Sequence, residues 1–270
     1  MSTGDHADDA TERDKPNSSV RTMNSVLSTL RVFKEVAVRQ PIGVSELARV
    51  TRIPKSSVQR CLVTLRQAGW LRVVDAEHAR WGLTMRALAL GLRSAGEQDL
   101  RELAGPTIKR LAADTDETVL LGLRDGDEYL IVAREDSTQI LRVIMDIGTR
   151  VPLRASSAGV AIIARLDPAE IDALLRSDVE GIVDGPVPST EEVRAEIARA
   201  AERGYAVDMS TWYRPHVASF GAAITNTAGR PVAAVTLTIP AMRYDASRET
   251  ALAQRVVAAA DEISRLVSSA

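Results

Sequence analysis

The 270-residue chain is poor in three residue types, and each shortage narrows what it can be. Cysteine occurs once, at Cys61, which excludes an intrachain disulfide and any cysteine-rich metal centre and fits a reducing compartment such as the cytoplasm. Aromatic residues make up 3% of the sequence against 45% hydrophobic residues overall, so its cores must be built from Ala, Leu, Ile and Val. Histidine occurs three times; His6, His78 and His216 fall on a tail, a turn and a loop, poor material for a metal site. No apolar run reaches membrane-spanning length without interrupting charges. The opening STGDHADDATERDKPNSS is acidic and polar, reads as neither signal peptide nor membrane anchor, and is expected to form a disordered tail over residues 1–20. There is no G-x-S-x-G, phosphate-loop or dinucleotide fingerprint, and His216 has no nucleophile or carboxylate fixed beside it in sequence. Neither an enzyme nor a cofactor is expected.

What the chain does have is segregated charge. Residues 21–84 carry 11 Lys/Arg against 4 Asp/Glu, a net of +7, while residues 85–270 carry 21 against 27, a net of −6. The overall −2 conceals a small basic module joined to a larger acidic one. A basic module of this size concentrates a polyanion before any specific contact forms, whereas the acidic surface repels the same partner. Charge alone leaves an acidic protein as an alternative partner to nucleic acid.

Periodicity gives the basic module a shape. Residues 24–38 place Val26, Leu27, Leu30, Phe33 and Ala37 at helical spacing, and Pro41 and Gly43 end that helix. Ser45 is positioned to cap a short helix over 46–50 with Leu47 inward. After the turn at 51–54, residues 55–68 put Val58, Leu62, Leu65 and Ala68 on one face, and Gly69 stops the helix. Three helices with such short links read as a helix-turn-helix. The apolar runs 70–74 and 80–83 then form a hairpin about the turn at 75–79, the wing of a winged helix, with Trp70 and Trp81 sealing the core.

The outward face of the third helix carries Lys55, Ser56, Ser57, Gln59, Arg60 and Arg66. Its first turn offers amide and hydroxyl donors to a phosphate, and Gln59 and Arg60 have the reach and donor pattern to read purine edges. Arg49 and Arg52, with Arg80 in the wing and Arg21 in the N-terminal arm, suit backbone contacts to duplex DNA. Taken singly, each is equally an ordinary solvated residue.

The acidic part opens with two helical stretches, 85–92 and 100–113, the second interrupted by Gly105-Pro106, which are natural levers between a sensor and a DNA-reading head. Exposed apolar positions on the first could pair with a second subunit. Strands 118–123 and 129–134 flank a turn at 125–127. Helices are expected at 157–166, 169–175, 191–203 and 247–268, and strands at 205–208, 219–225 and 232–238. A two-layer α/β arrangement is the economical one.

Beyond these patterns, the segments RTMNSVLSTLRVF (21–33), IGVSELARVTRIPKSSVQRCLVTLRQAGWL (42–71), WGLTMRALALG (81–91), LAGPTIKRLAADTDETVLL (103–121), GTRVPLRASSAGVAIIARL (148–166), ERGYAVD (202–208) and GRPVAAVTLTIP (229–240) resemble, in order and spacing, the IclR family of bacterial transcriptional regulators. The resemblance implies a two-domain α+β/α/β protein. In it, an N-terminal winged helix-turn-helix (21–84) is joined by linker helices (85–113) to a C-terminal, GAF-like effector-binding and oligomerisation domain (114–270). It implies a homodimer or dimer of dimers on promoter DNA, modulated by a small organic acid or aromatic metabolite. The resemblance also implies an effector site: backbone amides of Ser157 and Ala158, then Asp208, Ser219, Thr236 and Thr238, with Leu141, Val143 and Met145 as the apolar wall. The chain departs from the family pattern at Val160 and Arg154, where a lysine and a histidine are usual. It departs again at 209–216, where Trp212, Tyr213, Arg214 and His216 replace acidic residues. Such a lining, with Trp212 in it, suits an aromatic or carboxylate-bearing effector, unless that segment faces a subunit interface. The alternative function is a metabolite-binding protein-interaction module without sequence-specific DNA binding.

Overall fold

The computed structural model describes residues 22–94, 100–176, 187–209 and 215–269. The expected acidic tail, Arg21 and Trp212 lie outside them. The chain folds as two units, Met1–Ser94 and Ala95–Ala270.

In the first unit, helices α1 (Asn24–Arg39), α2 (Val44–Thr51) and α3 (Lys55–Gln67) precede the antiparallel strands β1 (Leu71–Asp75) and β2 (Arg80–Leu83), then helix α4 (Arg86–Ser94). Val32, Val36, Ile42, Leu47, Val58, Cys61, Leu62, Leu65, Leu71 and Trp81 form one core. Ile42 and Trp81 exchange backbone hydrogen bonds of 3.1 and 2.8 Å, so the link after α1 becomes a third rung of the wing. Trp70 is half-buried edge-on to Phe33, with ring centroids 5.6 Å apart. Arg52 turns the chain between α2 and α3 in the left-handed region, at φ 55°.

Three details differ from expectation. The buried side of α1 runs through Val32 and Val36, whereas Val26, Leu27 and Leu30 are exposed. That helix is apolar on two sides, and spacing alone does not say which one faces the core. Gly43, not Ser45, precedes the first turn of α2, and no side chain caps it. On α3 the fourth inward residue is Cys61, because Ala68 lies past the last turn and is exposed.

The second unit is built on a six-stranded sheet in the order β5-β4-β3-β8-β7-β6, with every neighbouring pair antiparallel. Its strands are β3 (Thr118–Asp125), β4 (Glu128–Glu135), β5 (Arg150–Pro152), β6 (Ala206–Met209), β7 (Val217–Thr225) and β8 (Pro231–Pro240). Helices α5 (Leu100–Thr115) and α9 (Glu249–Ser269) cover one face. Helix α6 (Ser157–Ile163) packs on the other, backed by α8 (Thr190–Arg203), with α7 (Pro168–Leu175) in the same apolar cluster. The expected two layers are therefore three, because the central strands are apolar on both faces. Val119, Leu121, Phe220, Ala222, Ala233, Val235 and Leu237 face α5 and α9. The alternating residues Leu120, Ala223 and Ala234 face α6. Strand β5 was not anticipated; it is three residues long and too short for a readable alternation.

Candidate functional site

The outward side of α3 is the first candidate. Lys55, Ser56, Gln59, Arg60 and Arg66 are exposed and Ser57 is half-buried. Arg49 and Arg52 are exposed on α2 and the turn after it. None of Arg49, Arg52, Lys55, Arg60 and Arg66 pairs with a carboxylate among the described residues, so their charge faces solvent. Pro54 precedes the first turn of α3 and supplies no side-chain cap; its carbonyl accepts from the Ser57 and Val58 amides at 2.9 and 3.0 Å, and no side chain caps the Lys55 and Ser56 amides. Arg80 stands in the wing, and its Nη1 donates to the Pro41 carbonyl at 3.0 Å, fixing the guanidinium beside the hairpin.

The second candidate is a small cavity in the second unit, of about 50 Å³, below the roughly 300–1,000 Å³ usual for small-molecule sites. Its apolar wall is Leu120, Tyr129, Ile131, Met145, Val151 and Val217; its polar side is Ser156, Ser157, Asp208, Ser219, Thr236 and Thr238, with Ala158 between. The strand register explains the polar side. Asp208 pairs with Ser219, Ser219 with Thr238 and Thr238 with Thr118, so one rung of the sheet is polar across four strands. The adjacent rung sets Ala206 against Gly221 and Gly221 against Thr236 on the same face.

Helix α6 reaches this rung because two glycines let it. A Cβ on Gly221 would stand 2.5 Å from the backbone carbon of Ser157, and one on Gly159 would collide with the backbone of Leu153. The approach brings Ser157 Oγ to 2.8 Å from Ser219 Oγ, joining helix and sheet inside the cavity. Ser156 caps α6 by accepting from the Gly159 amide at 3.1 Å. Thr238 Oγ1 donates to the Thr118 carbonyl at 3.2 Å, and the Tyr129 hydroxyl donates to the Ala234 carbonyl at 3.1 Å. Burial pushes the Tyr129 phenol well above its ordinary pKa, so it stays a neutral donor. Among the described lining residues there is no Lys, Arg or His, and Asp208 is the one carboxyl.

Of the ten residues expected at the effector site, Trp212 lies outside the described residues, and the structure gathers Met145, Ser157, Ala158, Asp208, Ser219, Thr236 and Thr238 around this cavity. Leu141 and Val143 do not line it. Residues 136–149 belong to no helix or strand; backbone bonds with Ile131 hold Gly148 and Thr149, and side chains hold much of the rest. Arg243 Nη1 donates to the Leu141 carbonyl at 2.6 Å and Arg134 Nη1 to the Met145 carbonyl at 2.7 Å. Within this strap Met145 points inward, Val143 packs into the core and Leu141 is 53% exposed. Of the departures, Val160 is fully buried, and Arg154 is buried, donating to the Leu175 carbonyl at 2.8 Å and the Pro188 carbonyl at 3.3 Å. Arg154 thus ties the end of α7 to the residues just before α8. Sequence reasoning missed Leu120, Tyr129, Ile131, Val151, Ser156 and Val217. The signal for Tyr129 was Gly122 in the partner strand, since a Cβ there would run into the Tyr129 ring.

An exposed, unpaired cationic helix on a winged head, carried with an antiparallel-sheet unit that encloses a cavity, defines a DNA-binding transcriptional regulator of the ligand-sensing type. Comparison with known proteins makes the class definite. Residues 25–75 match the IclR helix-turn-helix domain, and residues 92–265 match the bacterial transcriptional regulator IclR C-terminal domain. The chain belongs to the IclR family of bacterial transcriptional regulators, whose members control transcription and are not enzymes. It is 30% identical over 244 residues to the HTH-type transcriptional regulator KipR of Bacillus subtilis, covering 90% of this chain and 96% of that one. It is 26% identical to the transcriptional repressor IclR of Escherichia coli, over 82% of this chain and 81% of the relative. Among solved structures, an IclR homologue from Microbacterium hydrocarbonoxydans complexed with 4-hydroxybenzoate shares the fold at TM-score 0.74 and 21% identity, covering 91% of this chain and 100% of its own.

Proposed function

We propose that this regulator reads a promoter operator through α3 and its surroundings, and that a small organic acid or aromatic metabolite in the cavity sets its operator affinity. Gln59 and Arg60 contact base edges in the major groove. Arg21, Arg49, Arg52, Lys55, Ser56, Ser57, Arg66 and Arg80 hold the phosphate backbone. The functional division is a tail (1–20), a DNA-binding part (21–84), linker helices (85–113) and an effector and oligomerisation part (114–270).

The observation that carries the effector half is the cavity itself, with an aliphatic and aromatic wall facing a rung of hydroxyls that ends in a buried carboxyl. A flat or short apolar body packs against Leu120, Ile131 and Val151. Its polar substituents meet Asp208, the Ser157–Ser219 hydroxyl pair and the amides of Ser157 and Ala158. A hydroxylated acid satisfies both kinds of partner, and the homologue that holds 4-hydroxybenzoate supports that chemistry.

A symmetric pair of heads reads two half-sites. Met23, Val26, Leu27 and Leu30, exposed at i, i+3, i+4 and i+7 along α1, together with Leu88 and Leu90 on α4, give a second copy an apolar seat. The setting is the cytoplasm, and among the described residues no helix is long and apolar enough to cross a membrane.

Titration against promoter fragments at two salt concentrations tests the DNA half. One fragment binds tightly and its affinity falls steeply with salt, and Arg60→Ala loses sequence discrimination along with affinity. Salt-insensitive binding, or none, would return the protein to the interaction-module alternative. A thermal-shift screen of organic acids and aromatic catabolites tests the other half. A hit alters operator affinity by roughly 5–150-fold, the range of ordinary coupling energies, and Asp208→Asn abolishes its binding. Hits that leave DNA affinity unchanged refute the coupling.

A further inference from the structure

We infer that Val63, on α3, is a base-reading residue that recognises the methyl group of a thymine. The inference rests on α3 being the helix that enters the groove. Val58, Cys61, Leu62 and Leu65 fix which side of α3 faces the core. With about 100° between successive residues, the line opposite that side runs through Ser56, Arg60, Val63 and Gln67. Lys55, Gln59 and Arg66 lie along one flank of this ridge, and Ser57 and Thr64 along the other. A helix laid in a groove brings its outermost ridge to the base edges, joined by the long Gln59 side chain from the flank beside it, while its first turn with Ser56 and the remaining flank residues meet the phosphates.

Val63 is the one apolar residue of the four on the ridge, and it is 42% exposed. A lone exposed valine is ordinary on a protein surface. Here its neighbours specify the partner. Arg60 and Arg66 stand one turn to either side of it, with no carboxylate paired to them among the described residues, a setting that suits a polyanion and not a second apolar surface. In the major groove the C5-methyl of thymine is the apolar group that a base pair displays, and an aliphatic side chain is its complement. The β-branched Val63 side chain is stiff at χ1 in a helix, so its methyl groups hold a fixed position against that edge.

The test uses the full chain. Wild-type protein selects duplexes from a random pool, and each thymine of the recovered half-site is then replaced by deoxyuridine, which lacks only the methyl. At one or more positions the replacement weakens wild-type binding about fourfold, the weight of one buried methyl group. Val63→Ala binds the thymine and deoxyuridine duplexes alike and keeps the wild-type salt slope, because no charge is removed. The assignment is overturned if no replacement weakens binding, or if Val63→Ala shows the same penalty as wild type. It is equally overturned if Val63→Ala changes the oligomeric mass, which would make the ridge a contact between copies. A wild-type protein that selects no sequence would refute DNA reading by α3 and this assignment together.

Discussion

Gly221 and Gly159 contribute no functional group, yet they decide where the functional groups of the cavity stand. With Gly221 in the middle of β7, the first residues of α6 lie against the strand and the hydroxyls of Ser157 and Ser219 meet. Gly221→Ala would drive a methyl group into backbone on both sides of the Ser157–Ala158 peptide, where no flexible side chain can yield. The expected cost is about 1–3 kcal/mol, a fall of a few degrees in the melting temperature. Separation of the two serines accompanies it, so binding of any hit from the thermal-shift screen is lost as well. Differential scanning calorimetry on the variant checks this, and an unchanged melting temperature would mean that α6 can slide away at no cost. The hydroxyls behave as the family pattern implies only in part. Thr238 spends its proton on the Thr118 carbonyl, so towards a ligand it is an acceptor.

Among the elements, the strap of residues 136–149 shows how a segment without regular hydrogen bonding can still be fixed. Asp116, at the end of α5 and in the left-handed region at φ 52°, accepts from the Thr138 amide at 3.0 Å, from Thr138 Oγ1 at 2.8 Å and from the Gln139 side chain at 2.5 Å. The Thr138 hydroxyl foremost, with the other donors, holds the Asp116 carboxyl below its ordinary pKa of 3.8. A depressed carboxylate stabilises the fold fully above the ordinary value, and the contribution vanishes as pH falls through the folded one. Asp116→Asn therefore lowers the melting temperature at neutral pH, and the gap to wild type closes as pH falls below about 4. Melting curves across that range check it; a constant gap would assign the effect to shape and not charge. The strap was also where the sequence was least legible. Leu141, Val143 and Met145 alternate as a strand would, but side-chain bonds from Arg243 and Arg134 replace a ladder, and only Met145 reaches the cavity. By contrast β7 and β8 were readable as short apolar runs bounded by turn residues, and α3 as one helical stripe between Pro54 and Gly69. Helix α1 misled because it has two apolar stripes, Val32 and Val36 for its own core and Leu27 and Leu30 for something outside it.

At the scale of the whole molecule, that outer stripe bears on assembly. Replacing Leu27 and Leu30 with Glu removes no core contact, since both are more than half exposed, so the head keeps its fold. The double variant is expected to lose the dimer through these heads in sedimentation analysis and to bind an operator with the affinity of a single half-site. A mass unchanged from wild type would assign assembly to another surface. The central sheet imposes a further condition on the molecule as a whole. Alternate residues of β3, β7 and β8 serve two masters: Val119, Phe220 and Val235 lock α5 and α9 in place, while Leu120, Ser219 and Thr236 shape the cavity. Since neighbouring positions in one strand point to opposite sides, a lineage can exchange Ser219 or Thr236 and acquire a new chemical signal without loosening the scaffold behind it. Divergence in what such a regulator senses then needs few steps, and the route to each new effector stays open to selection because intermediates remain folded.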